Sequence, residues 1–378
     1  MASQTTSSKT VFFTGATGYI GGSVLEAILN SPQPPKSVTL LIRDQAKSQG
    51  FESLQTAKKA NVQIKTLIGS LEDLDKITQA AAEHDVTIHT ADADNLDGVK
   101  AIIKGQKIRK EKTGHRPLLI ETSGTGVLVD NAKGAYPNDI IYTDLNPTPA
   151  TKDVPALLSM TELAPTAPHR NVDLEIIAAD KAGINKSYII LPSTIWGKGV
   201  GEVFDAGLSN TFSDQIPTLI KAGLDRGRAG MVGEGKNIWP HVKITDLASL
   251  YELVWTKATQ PNPTIGHGPS GYYFGISGEY TLFGATSRIG QALVKNKLIQ
   301  STETTPTTFT EEDLKKYYGG STYMGTNSRG VADRSKSIGW KPKYTEQKDL
   351  YDHIDREVVR VQKEFGNEWK VEKFTSAY

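Results

Sequence analysis

Short apolar runs alternate with amphipathic stretches along the first half of the chain. Val11-Phe12-Phe13, Ser37–Ile42, Val62–Ile68, Val86–His89 and Leu118–Glu121 are β-branched or aliphatic segments bounded by polar and turn-forming residues, and they are expected to be strands. Between them apolar residues recur at helical spacing over Ser23–Leu29, Leu74–Ala82 and Leu96–Ile108. A sixth strand is expected over Ser187–Leu191. Strand–helix alternation of this kind predicts a parallel sheet covered on both faces. Beyond residue 200 the pattern becomes mixed, and no repeat of fold size is visible.

The turn after the first strand carries the most chemistry. Thr14-Gly15-Ala16-Thr17-Gly18-Tyr19-Ile20-Gly21-Gly22 joins an apolar run to a helical stretch, which sets backbone N–H groups and a helix N-terminus where a pyrophosphate would sit. Gly15 permits the tight turn, Gly18 lets backbone approach phosphate, and Gly21 lets helix pack on strand. With Thr17, Tyr19 and Ile20, they form the expected dinucleotide site in a Rossmann-type, doubly wound α/β domain. The second strand ends Ile42-Arg43-Asp44, with Lys47 one turn on. An acid at that point holds both ribose hydroxyls of NAD, whereas a cation suits the 2′-phosphate of NADP. Arg43, with Lys47 behind it, therefore predicts NADP(H). The alternative is that Arg43 pairs with Asp44 or another surface acid.

Composition narrows the classes. The 378 residues carry 43 basic and 42 acidic side chains, net +1, so charge gives no case for nucleic acid or an anionic membrane as partner. There is no Cys, which removes disulfides, thiol nucleophiles and zinc–thiolate sites. The 7 His are scattered without ligand spacing, so no metal is expected. No apolar run has the length of a membrane span, and Met1–Ser8 reads as a polar, flexible leader. These features together predict a soluble, cytoplasmic protein.

Written as Thr-Gly-Ala-Thr-Gly-Tyr-Ile-Gly, the fingerprint resembles the extended and atypical branches of the short-chain dehydrogenase/reductase superfamily, which include sugar-nucleotide epimerases, dihydroflavonol reductases and NmrA-like proteins. Partial likeness continues to residue 345. Pro192-Ser193-Thr194-Ile195-Trp196-Gly197 is similar to the family's Arg-Pro-x-x-Val-Tyr-Gly, with Leu191 in place of Arg. Val232–Ala248 resembles its return to the Rossmann domain, and Gly339-Trp340-Lys341-Pro342 its Gly-Trp-x-Pro. The implied organisation is a Rossmann domain over 9–200, a substrate-side excursion over 201–236, a return over 237–258 and a smaller mixed C-terminal substrate-binding lobe over 259–378. Gly284–Gly290 echoes the fingerprint, but Ser287 replaces the middle glycine and no apolar strand precedes it; a helix start is expected there. The resemblance also implies that Thr90, Ala91 and Asp92, after the fourth strand, line the ribose and nicotinamide, and that Pro192 and Ser193 complete the cofactor site. It implies that Ser123, or its neighbour Thr122, bonds a reacting carbonyl, although hydroxyls after a strand also cap turns. A homodimer is the assembly it suggests.

One departure stands out. Active members place a Tyr four residues before a Lys on the helix that precedes the sixth strand, and here that stretch, Ala164–Asp173, holds neither. The Tyr344–Lys348 pair has the spacing but lies far downstream. His169 and Arg170 stand near the helix start: an imidazole can carry a proton near neutral pH, while a guanidinium only orients or stabilises negative charge. The alternative is that both are turn residues that pair with Asp173. Tyr142 is a further candidate donor. Trp196, Trp239 and His241, with Tyr272 and Tyr273, suggest an apolar substrate pocket, core packing being the alternative. Two functions remain open: an NADPH-dependent reductase of a carbonyl, imine or activated alkene on a hydrophobic small molecule, or a non-redox NADP-binding protein. The second could be an NmrA-like sensor, or an enzyme that steers a substrate without hydride transfer.

Overall fold

The computed structural model describes residues 9–151 and 156–369; the expected leader, Met1–Ser8, lies outside the described residues. Seven strands form one parallel sheet: β1 (Thr10–Thr14), β2 (Ser37–Ile42), β3 (Gln63–Ile68), β4 (Val86–His89), β5 (Leu118–Thr122), β6 (Lys186–Pro192) and β7 (Tyr272–Gly275). Their spatial order is β3-β2-β1-β4-β5-β6-β7, the doubly wound arrangement expected from the alternating pattern. Val11, Phe12, Phe13, Val38, Leu40, Ile88, Leu119, Ile120 and Ile189–Leu191 are buried, because helices cover both faces of the sheet.

Helix α1 (Tyr19–Leu29) starts four residues before the amphipathic stretch that predicts it, since Gly21 and Gly22 already belong to its first turns. The helices Leu74–Glu83 and Leu96–Thr113 fall where periodicity puts them, the second running one turn further to a left-handed cap at Gly114. The seventh strand differs from the sequence reading, which assigns Tyr272–Gly275 to the C-terminal lobe. After helix Ile244–Ala258 the chain re-enters the sheet and pairs Tyr272 with Ile189 and Phe274 with Leu191. The glycine echo at 284–290 lies within helix Leu282–Lys295, capped by the Thr281 side chain.

The C-terminal lobe has its own core. Helices Gln215–Arg226, Leu282–Lys295 and Gln347–Phe365 enclose Leu219, Ile220, Leu293, Leu350, Ile354 and Val358. A three-stranded sheet begins directly after β6: Thr194–Trp196 pairs in parallel with Ile238–Lys243, which pairs antiparallel with Gly278–Thr281. Two buried carboxylates fasten the later segments to the Rossmann domain. Asp144 accepts from the backbone N–H of Phe274 at 2.9 Å and Arg334 at 2.7 Å, and from Ser335. Asp246 accepts from the N–H groups of Lys343 and Tyr344, beside the Trp340 indole that donates to its carbonyl at 2.9 Å. Among the described residues no helix is long and apolar enough to cross a membrane.

The turn between β1 and α1 is tight at two glycines. Gly15 has φ +84°, and a Cβ there would stand 2.6 Å from the Thr90 backbone. A Cβ on Gly21 would overlap the Gly15 carbonyl and stand 2.6 Å from Thr90 Oγ1. Gly21→Ala is therefore expected to destabilise the fold by about 1–3 kcal/mol, the scale of an overpacked core, because backbone cannot move aside as a flexible side chain would. Urea denaturation checks it, and an unchanged midpoint would show that the packing is looser than described.

Helix Arg170–Lys181 turns Val172 and Ile176 inward and with them the fully buried Asp173. Burial pushes its carboxyl up to about 7, with Ser123 and the Arg170 charge pulling the other way. An unfolded Asp ionises near 3.8, so between pH 4 and 7 the folded chain holds a proton that the unfolded chain has lost. On that account, stability should fall as pH rises through this window. Asp173→Asn should flatten the dependence and be the more stable form above pH 7; equal slopes in urea titrations of the two proteins would refute the assignment.

Candidate functional site

A cleft of about 550 Å³ opens at the C-terminal ends of β1, β2 and β4, where the chain winds one way to β2 and β3 and the other way to β4 and β5. Gly15, Thr17 and Gly18 form its floor, Arg43 one end, and Thr90, Ala91 and Asp92 the wall after β4. Those seven residues, expected from the sequence, meet in one place. A Cβ on Gly18 would meet only the Gly15 carbonyl, at 3.2 Å, so its outer face is open to the cleft. Gly18 also caps α1 without a side-chain hydrogen bond, and the first turn holds no acid. The chain thus leaves the positive end of this helix uncompensated beside an open glycine, which is what a pyrophosphate requires.

Tyr19, Ile20 and Gly21 build the first helical turn behind that floor. Tyr19 donates to the Gly197 carbonyl at 2.6 Å, and burial holds its phenol well above the ordinary value. Lys47 is outside the cleft lining and donates to the Leu208 carbonyl at 2.9 Å. Thr122 shares a 2.7 Å hydrogen bond with Tyr251, and Ser193 donates to the Gly275 carbonyl at 2.8 Å. With Pro192, at the end of β6, both are buried outside the cleft lining.

Several lining residues carry no sequence signal strong enough to single them out. Ser70, Leu71 and Glu72 follow β3, Asp94 and Asn95 follow Asp92, and Asn210 comes from the excursion, anchored by its N–H to the Thr17 carbonyl at 2.9 Å. Glu72 is fully exposed; its carboxyl is held low by Ser70, with a smaller contribution from the charge of Arg43.

At the other end of the cleft stands His169, the only residue of the Ala164–Asp173 stretch that lines it. Its backbone is left-handed, φ +62°, at the start of helix Arg170–Lys181, a conformation uncommon outside glycine. Nδ1 is 2.8 Å from Asp94 Oδ1, so the carboxylate fixes Nδ1 as the donor. Nε2 then faces Gly124 and Gly126, 3.4 and 3.1 Å from where their Cβ atoms would be. Below this point the structure gathers Ser123, Asp173 and Arg170. Arg170 is buried and donates through Nη1 to Tyr272 at 2.5 Å, while Ser123 Oγ and both Asp173 oxygens lack a partner of normal hydrogen-bond geometry among the described residues. Beneath them His89 and Glu121 form a wholly buried pair at 2.8 Å; burial opposes the imidazolium, but the Glu121 charge prevails and raises His89 above its ordinary value.

The remaining candidates lie elsewhere. Tyr142 sits half-buried in strand Ile141–Thr143, paired to Gly330, outside the cleft lining. Trp196, Trp239 and His241 are buried within the C-terminal lobe and the sheet beneath it. Trp196 donates to His241 Nδ1 at 3.2 Å and packs on His353 at 5.3 Å; burial drives His241 down to about 4. Trp239 packs edge-on against Tyr323.

Comparison with known proteins agrees with this geometry. A family model of NAD-binding proteins described as "Male sterility protein" matches residues 13–133, from β1 through β5. The oxidase ucsJ of an Acremonium species is 27% identical, covering 88% of this chain and 93% of that protein. An uncharacterised Saccharomyces cerevisiae protein is also 27% identical, over 88% of this chain and 94% of its own. Among solved structures, the dTDP-glucose 4,6-dehydratase DesIV from Streptomyces venezuelae, with NAD bound, superposes with a TM-score of 0.60 at 15% identity, covering 94% of this chain and 97% of that one. The Thermus thermophilus UDP-glucose 4-epimerase, in complex with NAD, gives 0.53 at 15% identity over 92% and 98%. The sheet order and these likenesses show that the chain has the fold of the NAD-bound epimerase and dehydratase structures, and residues 13–133 match the NAD-binding family model.

Proposed function

We propose that the chain is an NADPH-dependent reductase of a hydrophobic small molecule that bears a carbonyl, imine or activated alkene. The observation that carries this reading is His169, which lines the cleft and is oriented by Asp94 so that Nε2 faces the glycines after β5. The relative called an oxidase, and neighbours whose structures hold NAD, support nicotinamide chemistry in general. Arg43 at the end of β2 supports NADPH in particular.

The uncapped N-terminus of α1 and the open face of Gly18 suit the pyrophosphate, Arg43 the 2′-phosphate, and Thr90–Asp92 the path toward the nicotinamide. The cofactor supplies a hydride when bound. The chain supplies the proton side of the reaction. The hydrogen bond of Nδ1 to Asp94 fixes the ring so that Nε2 faces the glycines after β5, on the proton side of the reaction. Ser123, directly after β5, lies buried beside Asp173. The buried Arg170 is tied to Tyr272 and serves the scaffold.

Replacing Arg43 with Ala should weaken NADPH by about 1.5–3 kcal/mol, the loss of a charged hydrogen bond, and leave NADH nearly unchanged. Calorimetry with both cofactors checks this, and equal losses would remove the case for NADPH. His169→Asn, which tolerates the left-handed backbone, should keep NADPH affinity and lower turnover by roughly 10²–10⁴, the usual scale of general acid catalysis. Steady-state rates over a set of hydrophobic ketones, imines and enones provide the test. Full NADPH binding with no oxidation in the wild-type protein would favour a non-redox role for the site.

A further inference from the structure

The face of Gly126 is approached from two lobes at once. His169 comes from the Rossmann side; Tyr323 comes from the C-terminal lobe, in the short helical turn Tyr323–Gly325 after helix Glu311–Tyr318. A Cβ on Gly126 would be in collision with the Tyr323 hydroxyl and 3.1 Å from His169 Nε2. Both polar atoms therefore crowd one face of residue 126, an approach that only a residue without a side chain permits.

The phenol is held firmly. Its ring packs edge-on against Trp239 with centroids 5.4 Å apart. Trp239 Nε1 donates to the Thr326 carbonyl at 2.6 Å, and Asn237 Nδ2 donates to the carbonyls of Met324 and Thr326. The same loop is tied to the segment after β5: Gly134 N–H donates to Gly325 at 2.6 Å, Asn327 N–H to Asp130 at 2.8 Å and Ser328 to the Thr125 carbonyl at 2.7 Å. Such a brace is what a reacting group needs to hold its geometry. Helix Arg170–Lys181, by contrast, brings no phenol to the cleft.

We propose that Tyr323 is the catalytic proton donor of the reaction proposed above, with His169 and Asp94 as the relay that reprotonates it. Given NADPH as reductant, hydride adds to the carbonyl carbon, the π pair moves onto oxygen, and that oxygen takes the phenolic proton. The phenolate then takes a proton from His169 Nε2, the polar atom that shares the face of Gly126 with it, and His169, beside the half-exposed Asp94, recovers one from solvent. Burial, and after it the Asp94 charge, hold the Tyr323 phenol above its ordinary value, so it keeps its proton until an alkoxide, a far stronger base, forms beside it.

The inference rests on the reductase reading, and its test separates the two. Tyr323→Phe removes one oxygen and keeps the ring against Trp239. With phenanthrenequinone and NADPH, kcat should fall roughly 10²–10⁴, while calorimetric NADPH affinity and the melting temperature stay at wild-type values. The double variant with His169→Asn should be no slower than the slower single variant, because the two groups act as a unit. In the cofactor-free protein, Tyr323→Phe should shift the ¹⁵N resonance of His169 Nε2. A wild-type kcat in Tyr323→Phe, or an unmoved His169 resonance, would overturn the proposal. Should the wild-type protein bind NADPH yet reduce no carbonyl probe, a shifted resonance would support the pair and assign the failure to the reductase reading.

Discussion

The contact on which the site depends is that of Gly15 and Gly21 with Thr90. It brings the start of α1 against the ends of both β1 and β4, at the point where the sheet winds in opposite directions. No side chain fits between these backbones, so the helix N-terminus reaches the crevice rather than stopping a side chain's width above it. Everything at the cofactor end follows from that approach. The open face of Gly18, the uncapped first turn and Thr90 on the facing wall are consequences of one tight packing.

The opposite end of the cleft is built on a different principle. It carries more buried polar groups than packing needs: the His89–Glu121 pair, Asp173 beside Ser123, and Arg170 against Tyr272. Each would cost stability if left uncompensated, and partial compensation is what the structure gives them. Asp173 is the clearest case, a wholly buried carboxyl beside Arg170. A cation there would stand in contact with Arg170; a carboxyl kept protonated by burial does not repel its surroundings.

The sequence carried the sheet well and the lobe poorly. Six strands were legible because strands buried on both faces read as unbroken apolar runs, as in Val86–His89. Tyr272–Gly275 has the same character but follows a return segment instead of a crossover in the expected series, and only pairing with β6 reveals where it belongs. The fingerprint and Arg43 were legible because their roles depend on local backbone. Asp94 and Tyr323 were not, because one is an ordinary acid in a polar loop and the other lies about 150 residues from His169 in sequence. Trp239 was marked as an aromatic of interest, but its contacts are with Tyr323 and Thr326, which periodicity cannot show.

A site assembled from two lobes has a property that a site on one helix lacks. Where donor and partner share a helix, their separation is set by helix geometry and persists through any motion of the second lobe. Here His169 is fixed to the Rossmann domain through Asp94, whereas Tyr323 is fixed to the C-terminal lobe through Trp239. Their meeting depends on the seam at Asp130–Asn327, Gly134–Gly325 and Thr125–Ser328, a set of short hydrogen bonds beside Gly126. The seam uses backbone groups and the side chains of Asp130, Asn327 and Ser328, and its hydrogen bonds fix direction as well as distance. Geometry at the reacting atoms is therefore tied to lobe docking, because the loop that carries Tyr323 is held to the segment after β5 by these hydrogen bonds.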